Sequence, residues 1–127
     1  MSDLVVDASA ILAAIRGEAG AQRVIDGVRG ARMSALNHCE VVGWLAERGS
    51  SREDIENVVG PFDLTVEVFD RPRATAAGLL TAKTKRRNIS LGDRACLALA
   101  MELGVPVMTG DRAWRDLDVG VEIQLFR

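Results

Sequence analysis

The chain has 127 residues, of which 48% are hydrophobic and 27% are charged, and its formal net charge is -2. This composition is typical of a globular chain forming one domain over 1–127, and it excludes an intrinsically disordered chain. No apolar run approaches the ~18–20 residues that cross a bilayer, and the first residues lack the basic segment of a secretory signal. We therefore expect no membrane partner and a cytoplasmic location. Cys39 and Cys96 are too few for a disulfide framework and are expected to be reduced and buried.

The first half of the chain alternates short apolar runs with helical patterns. The predicted elements are a strand at 4–6, helices at 9–15 and 21–28, a short strand at Arg32–Ser34 and a helix at 37–48. Val24, Ile25 and Val28 form the expected apolar stripe of the second helix. Gly49 is the expected residue just beyond the C-terminus of the third helix.

The second half continues the same alternation. A capping box at Ser51 opens a helix that Gly60 and Pro61 end. Apolar residues alternate with polar ones along the next segment, which predicts a half-buried strand. The remaining predicted elements are that strand at 64–68, helices at 73–87 and 92–103, a strand at 105–109, a short helix at 112–117 and a final strand at 121–125.

Alternating short strands and amphipathic helices indicate an α/β fold. We expect a three-layer α/β/α sandwich around a short, mainly parallel central sheet. In open sheets of this kind, ligands bind outside the carboxyl ends of the strands. Side chains that follow the strands are therefore the first candidates for a functional site.

Acidic residues occupy several such positions. Asp7 follows the first strand and Asp111 follows the strand at 105–109, and either residue could simply cap the helix that comes next. Asp93 heads the apolar stripe of the helix at 92–103, which directs it towards the sheet, although a first-turn acid also complements the helix dipole. Glu40 lies in the first turns of the helix at 37–48 and, judged alone, is an ordinary surface residue.

Four short motifs resemble those of the PIN-domain ribonucleases, and within them the VapC-type toxins of bacterial toxin–antitoxin pairs. The motifs are Val5-Val6-Asp7-Ala8-Ser9-Ala10, Asn37-His38-Cys39-Glu40-Val41, Leu91-Gly92-Asp93-Arg94-Ala95-Cys96-Leu97-Ala98-Leu99-Ala100 and Thr109-Gly110-Asp111-Arg112-Ala113-Trp114. Each motif alone is weak, but their order and spacing are specific and extend over essentially the whole chain.

The resemblance implies a PIN-like fold and a metal-dependent endoribonuclease that hydrolyses RNA phosphodiester bonds as a toxin. The acidic quartet of that family maps onto Asp7, Glu40, Asp93 and Asp111, as catalytic residues and as ligands of Mg²⁺ or Mn²⁺. The resemblance also implies inhibition by a small VapB-like antitoxin, and a homodimer. A cluster of carboxylates suits such a cation, because Mg²⁺ and Mn²⁺ prefer oxygen ligands and relieve the mutual repulsion of the acids.

Three further residues near the motifs have two interpretations. Ser9, Thr109 and Asp116 either support the acidic site or only cap helices. His38 and Cys39 stand beside Glu40, but adjacent helical positions point in different directions, so a zinc site is not expected. Trp44 and Trp114 are expected to be packing residues.

A basic segment is the remaining candidate for RNA contact. The segment 71–92 has no acidic residue, and we expect its later cations to bind RNA phosphates, although cations also suit the C-terminus of a helix. Those cations are Lys83, Lys85, Arg86 and Arg87.

Other enzyme classes fit less well. A receiver domain needs an acid pair after the first strand and a late lysine, and a dehalogenase-type phosphatase needs Asp where Ser9 stands. The alternative that stays open is a non-catalytic RNA- or protein-binding domain on a PIN-like fold.

Overall fold

A parallel sheet forms the centre of the computed structural model, which describes residues 3–84 and 88–127. The strands of the described residues are β1 (Val5–Val6), β2 (Arg32–Ser34), β3 (Thr65–Glu67), β4 (Val107–Thr109) and β5 (Ile123–Leu125). They lie in the order β3-β2-β1-β4-β5, and every neighbouring pair is parallel. Val5 in the central strand pairs with Arg32 on one side and Val107 on the other. The predicted α/β fold with a short parallel sheet is therefore confirmed.

Helices connect the strands and cover both faces of the sheet. In the described ranges they are α1 (Ala8–Arg16), α2 (Ala21–Gly27), α3 (Ala35–Glu47), α4 (Arg52–Val59), α5 (Arg71–Leu79), α6 (Thr81–Thr84) and α7 (Leu91–Leu103), with 3-10 helices at Gly60–Phe62 and Arg112–Asp116. Ser51 closes the predicted capping box at the start of α4. Gly104 ends α7 with φ of 65°, a left-handed conformation that favours glycine. None of these helices is long and apolar enough to cross a membrane.

The two hydrophobic cores lie on opposite faces of the sheet because successive strand residues point to opposite sides. Val6 and Met108 pack with the apolar faces of α1 to α4 in the first core. Val5 and Val107, one residue earlier on the same strands, pack with α5 and α7 in the second core. This arrangement is the predicted three-layer sandwich, and it leaves the carboxyl ends of β1 and β4 side by side.

The predicted helix at 73–87 was wrong as a continuous element. It begins two residues earlier and is divided at Leu80 into α5 and α6. Leu80 is 5% exposed and belongs to the second core, so the break places an apolar side chain inside the molecule. The predicted RNA contacts Lys85, Arg86 and Arg87 lie outside the described residues.

Three smaller expectations were also wrong. Ile25 is 48% exposed, because the buried stripe of α2 is narrower than predicted and consists of Val24 and Val28. The strand predicted at 64–68 is present as β3 but is less buried than expected, since Val66 on this edge strand is 42% exposed. Cys39 is exposed on α3, whereas Cys96 is buried as expected, and both thiols are free.

Candidate active site at the carboxyl ends of β1 and β4

A cleft of about 350 Å³ opens beside the end of β1 and brings together three of the four predicted acids. Asp7 follows β1, Glu40 comes from α3, and Asp93 comes from the first turn of α7. The other lining residues are Ala8, Ser9, Leu12, Asn37 and Trp44. Helices from both faces of the sheet therefore deliver carboxylates to one position, as expected for a site at the carboxyl edge.

Asp7 is a buried carboxylate held by three donor groups. Its Oδ1 accepts a hydrogen bond from the backbone N–H of Ala10 at 3.0 Å, so the residue does cap α1. The hydroxyl of Ser9 lies 2.8 Å from Oδ1 and 2.9 Å from Oδ2, and the hydroxyl of Thr109 donates to Oδ2 at 2.6 Å. The side chain is only 4% exposed. Capping and a site position are therefore compatible for this residue.

Burial changes the protonation of Asp7. Desolvation raises the pKa of its carboxyl from 3.8 to about 6, and the hydrogen bonds from Thr109, Ser9 and Ala10 oppose that rise. The negative charge of Asp93 adds to it. Because burial disfavours the charged form of the Asp7 carboxyl, a nearby cation would strongly stabilise that form.

Thr109 connects this corner of the sheet to the fourth predicted acid. Its hydroxyl donates to Asp7 and accepts from the backbone N–H of Asp111 at 3.1 Å. Ser9 makes a parallel link, because its hydroxyl accepts from the backbone N–H of Gly110 at 3.2 Å. Two of the three candidate supporting residues, Ser9 and Thr109, therefore contact Asp7.

Asp111 itself is placed differently from the other three acids. It is exposed, and its Oδ1 accepts from the backbone N–H of Ala113 at 2.9 Å, which caps the 3-10 helix Arg112–Asp116. Its side chain is not among those that line the cleft, although its backbone is two hydrogen bonds away from Asp7. Asp116 lies exposed on that 3-10 helix and does not line the cleft either.

Asp93 caps α7 and also lines the cleft. Its Oδ2 accepts from the backbone N–H of Ser90 at 3.0 Å, and the Ser90 hydroxyl accepts from the backbone N–H of Asp93 at 3.2 Å. This capping box starts α7 and fixes the carboxylate at the edge of the cleft. The side chain is half-buried, so the prediction that it points away from solvent was only partly right.

Glu40 is exposed but held in place by Asn37. The Asn37 side-chain amide donates to Glu40 Oε1 at 2.8 Å and to the backbone carbonyl of Gly92 at 3.0 Å. Asn37 is 1% exposed, so this link between α3 and α7 is buried. A side chain at Gly92 would displace the Glu40 carboxylate, because an added Cβ would meet Glu40 Oε1. Glu40 and Asp93 are therefore brought together by close packing of two helices.

All three cleft acids act electrostatically on the buried thiol of Cys96. Cys96 lies one turn after Asp93 on α7, and burial raises the pKa of its thiol well above the usual value. The charges of Asp7, Asp93 and Glu40 each raise that pKa further. The cleft is therefore electronegative, and Cys96 is a protonated packing residue.

The donor chemistry of the cleft fits a hydrated divalent cation. Within 3–84 and 88–127, no three His, Cys, Asp or Glu side chains stand close enough together to form a metal cage. The acids nevertheless share one cleft and offer only oxygen atoms, and Mg²⁺ is usually held by one or two carboxylates with water completing its shell. His38 and Cys39 line a separate groove, as expected if they take no part in a site with Glu40.

Sequence reasoning missed several residues at this site. Asn37 and Gly92 bind or accommodate Glu40, and the signal for Asn37 was its spacing of three residues before Glu40 on one helical face. Trp44 was expected to be a packing residue, but it also lines the cleft. Its spacing of four residues after Glu40 carried the same signal.

Two described cations of the basic segment, Lys83 and Arg73, differ in their contacts. Lys83 is exposed on α6. Arg73 instead makes two hydrogen bonds of 3.0 Å to Glu102 and lies 3.5 Å from Glu67, and these acids raise the pKa of its guanidinium. Arg73 therefore joins α5 to α7 rather than facing solvent with an unpaired charge.

Comparison with known proteins agrees with this architecture. The family model described as "PIN domain" matches residues 4–120. One chain of a DNA-bound VapBC from Salmonella typhimurium superposes with a TM-score of 0.75 at 19% identity, covering 100% of both chains. The fold is shared by a chain of a toxin–antitoxin complex from Klebsiella pneumoniae, with a TM-score of 0.75, 11% identity and 98% of both chains covered. It is also shared by a chain of VapBC2 from Rickettsia felis bound to a DNA fragment from its promoter, with a TM-score of 0.74, 11% identity, and 96% of this chain and 97% of that chain covered. No curated protein matches the chain significantly in sequence.

Proposed function

The chain belongs to the PIN domain family, and from that premise we propose that it is a metal-dependent endoribonuclease, the cytoplasmic toxin of a toxin–antitoxin pair. The observation that carries this proposal is the cleft in which Asp7, Glu40 and Asp93 converge at the carboxyl edge of the sheet. These side chains, with Asp111 as a fourth acid beyond Thr109, would hold Mg²⁺ or Mn²⁺. Such a cation, when bound, lowers the pKa of a water ligand and stabilises charge on phosphoryl oxygens.

The chain's own groups set the geometry for hydrolysis of an RNA phosphodiester. Ser9, Thr109 and the Ala10 backbone orient the Asp7 carboxylate, and Asn37 orients Glu40. Fixed carboxylates need little rearrangement before reaction, which is the usual source of catalytic advantage at such sites.

Metal-dependent cleavage by the purified chain tests the proposal. We expect cleavage of single-stranded RNA in Mg²⁺ or Mn²⁺ and none in EDTA, with Asp7→Asn, Asp93→Asn and Glu40→Gln each reducing the rate by at least ~100-fold. Asp111→Asn should do the same if the fourth acid belongs to the site. Glu47→Gln, which removes another exposed acid from α3, is the matched control and should cleave normally. A folded Asp7→Asn variant with full activity would exclude Asp7 from the site.

The non-catalytic alternative is favoured by one observation, the lack of a metal cage of three His, Cys, Asp or Glu side chains among the described residues. Under that alternative the protein would bind RNA, or a protein partner, with equal affinity in Mg²⁺ and EDTA and would leave RNA intact. Binding and cleavage measured on the same labelled RNA separate the two functions.

The exposed Lys83 on α6 supports RNA as the substrate. Arg73, in the first turn of α5, bonds Glu102 near the end of α7, so the chain that follows α5 leads back towards Asp93. Lys83 lies on that return, and with it we include Lys85, Arg86 and Arg87 as backbone contacts. Neutralising these cations should weaken binding to all RNAs and reduce the salt dependence by roughly 0.7 in log–log slope per lost phosphate contact.

An inhibitory protein partner is the second part of the proposal. Similar folds occur in the VapBC complexes, and a cleft of three carboxylates attracts an Arg or Lys side chain of a partner when no metal is bound. A groove of about 680 Å³ lies between α3 and α4, and its apolar walls include Val42, Ile55 and Val59. We expect an amphipathic helix of a small VapB-like antitoxin to occupy this groove while a cation of the same partner enters the cleft.

Titration of the cognate antitoxin against RNA cleavage over a range of Mg²⁺ tests this arrangement. Excess Mg²⁺, or removal of the inserted cation from the partner, should weaken inhibition. Inhibition that ignores both changes would mean that the partner blocks RNA elsewhere. A homodimer is also expected, and light scattering of the isolated chain would measure it.

A further inference from the structure

One face of α3 combines an acid, an aromatic ring and a cation. Glu40, Trp44 and Arg48 follow one another at intervals of four residues, which places them along one side of the helix and its end. Trp44 is half-buried between the first core and the cleft of Asp7, Glu40 and Asp93. The ring therefore forms the boundary between the acidic cleft and the surface beyond it.

Two guanidinium groups cover that ring. The Cζ atom of Arg48 lies 3.6 Å from the centroid of the Trp44 ring, and that of Arg16, at the end of α1, lies 5.2 Å from it. Arg48 also donates to the Trp44 backbone carbonyl at 3.0 Å, and Arg16 pairs with Glu18 at 2.8 Å. The Arg16 side chain remains 47% exposed. Both cations are thus held over an aromatic face, and these contacts involve one nitrogen of each guanidinium group.

Charge decides what this surface can bind. A polyanion that enters a cleft of three carboxylates is repelled until cations offset that field. Arg16 and Arg48 provide such cations at the cleft boundary, and Arg48 lies about 12 Å along the α3 axis from Glu40, at 1.5 Å per residue. That distance corresponds to about three or four nucleotides at ~3.4 Å per stacked step.

We propose that Arg16, Trp44 and Arg48 form a cationic rim that binds the phosphates of single-stranded RNA beside the acidic cleft. The two arginines bind phosphate, and Trp44 is a positioning residue that orients their planar guanidinium groups. The proposal rests on the proposed ribonuclease function, because it extends the path of the substrate away from the carboxylates. The two positive charges of the rim favour a polyanion such as RNA as its occupant.

Salt-dependent RNA binding tests the rim without relying on cleavage. Fluorescence anisotropy of a labelled 12-nucleotide single-stranded RNA is measured in EDTA over a series of KCl concentrations, for the wild type and for Arg16→Gln/Arg48→Gln. The double variant should bind roughly tenfold more weakly, and the log–log salt slope should fall by about 1.4, from ~0.7 for each of two phosphate contacts. Arg29→Gln is the control. It removes an exposed arginine that precedes β2, at the amino ends of the strands and away from the cleft, and it should leave the salt slope unchanged.

A second variant separates positioning from charge. Trp44→Leu should weaken RNA binding by roughly threefold, as expected from losing a surface cation–π contact, while the salt slope stays as in the wild type because both cations remain. Arg48→Lys should likewise keep the slope but lose affinity, because an ammonium group cannot stack as a planar guanidinium does.

The outcomes distinguish this proposal from the ribonuclease function itself. Arginine-dependent binding by a protein that cleaves no RNA would support the rim and refute the nuclease. If the Arg16→Gln/Arg48→Gln variant kept the wild-type salt slope of RNA binding and its metal-dependent cleavage, the rim would be refuted and the ribonuclease proposal would remain supported. Loss of affinity for a purified antitoxin, with RNA binding unchanged, would reassign the rim to the protein partner and overturn the proposal.

Discussion

Asp7 and Asp111 follow neighbouring parallel strands, and each caps the helix that comes next, yet their environments differ sharply. Asp7 is 4% exposed and receives hydrogen bonds from Ser9, Ala10 and Thr109. Asp111 is exposed, and its side chain accepts a hydrogen bond from Ala113.

The difference arises from the position of each strand end relative to the covering helices. Asp7 follows the central strand, and side chains from α1, α3 and α7 line the cleft with it. Asp111 is the exposed residue that caps the 3-10 helix Arg112–Asp116, whose Trp114 packs into the second core. Similar local sequences therefore place a buried, desolvated carboxyl after β1 and an exposed helix cap after β4.

The largest expected effect is on Asp7. A carboxyl whose pKa is raised in the folded state stabilises the protein fully below pH 3.8, and this contribution is lost as the pH rises through about 6. In metal-free protein, Asp7→Asn should therefore gain about 3 kcal/mol in unfolding free energy relative to the wild type between pH 4 and pH 7. Urea unfolding in EDTA at several pH values measures this gain, and two parallel stability curves would contradict it.

Thr109 contacts both Asp7 and the backbone of Asp111, so one substitution changes the surroundings of both acids. Thr109→Val keeps the shape of a fully buried side chain but removes the donor to Asp7 and the acceptor for the Asp111 backbone. We expect destabilisation of about 2 kcal/mol, the usual cost of leaving buried polar groups without partners. Loss of the hydrogen bond should also raise the pKa of Asp7 further. Unfolding free energies at pH 5 test the first effect, and an unchanged value would mean that water replaces the hydroxyl.

A third acid sharpens the comparison, because Glu40 is exposed like Asp111 but held in place like Asp7. Gly92→Ala would push a methyl group against the flexible end of Glu40 while leaving Asn37 intact. Stability should change by no more than about 1 kcal/mol, since alanine also favours the helix. Mn²⁺ affinity, measured by calorimetry, should fall. Gly78→Ala, on α5 with open space around it, is the matched control and should keep that affinity.

The smallest expected effect is at Asp111. Asparagine is as good a helix cap as aspartate, so Asp111→Asn should change the unfolding free energy by less than about 0.5 kcal/mol. Thermal unfolding measures this change. A large loss of stability would show that the Asp111 carboxylate takes part in the buried network after all.

Much of the architecture could be predicted from the sequence because its signals are local. The short apolar runs, the capping box at Ser51 and Gly49 just beyond α3 predicted the strands and most of the helices to within a few residues. The motifs around Asp7, Glu40 and Asp93 predicted the acids that line the cleft. These signals suffice because capping and periodicity depend on residues only a few positions apart.

Tertiary structure alone decided what surrounds each acid. The burial of Asp7 and the link from Asn37 across to Gly92, 55 residues along the chain, depend on contacts that no local pattern records. The same holds for the two arginines over Trp44, one of which comes from α1. Desolvation and packing act between elements that are distant in sequence, so the charge state and the precision of the site emerge only when the sheet and its helices assemble.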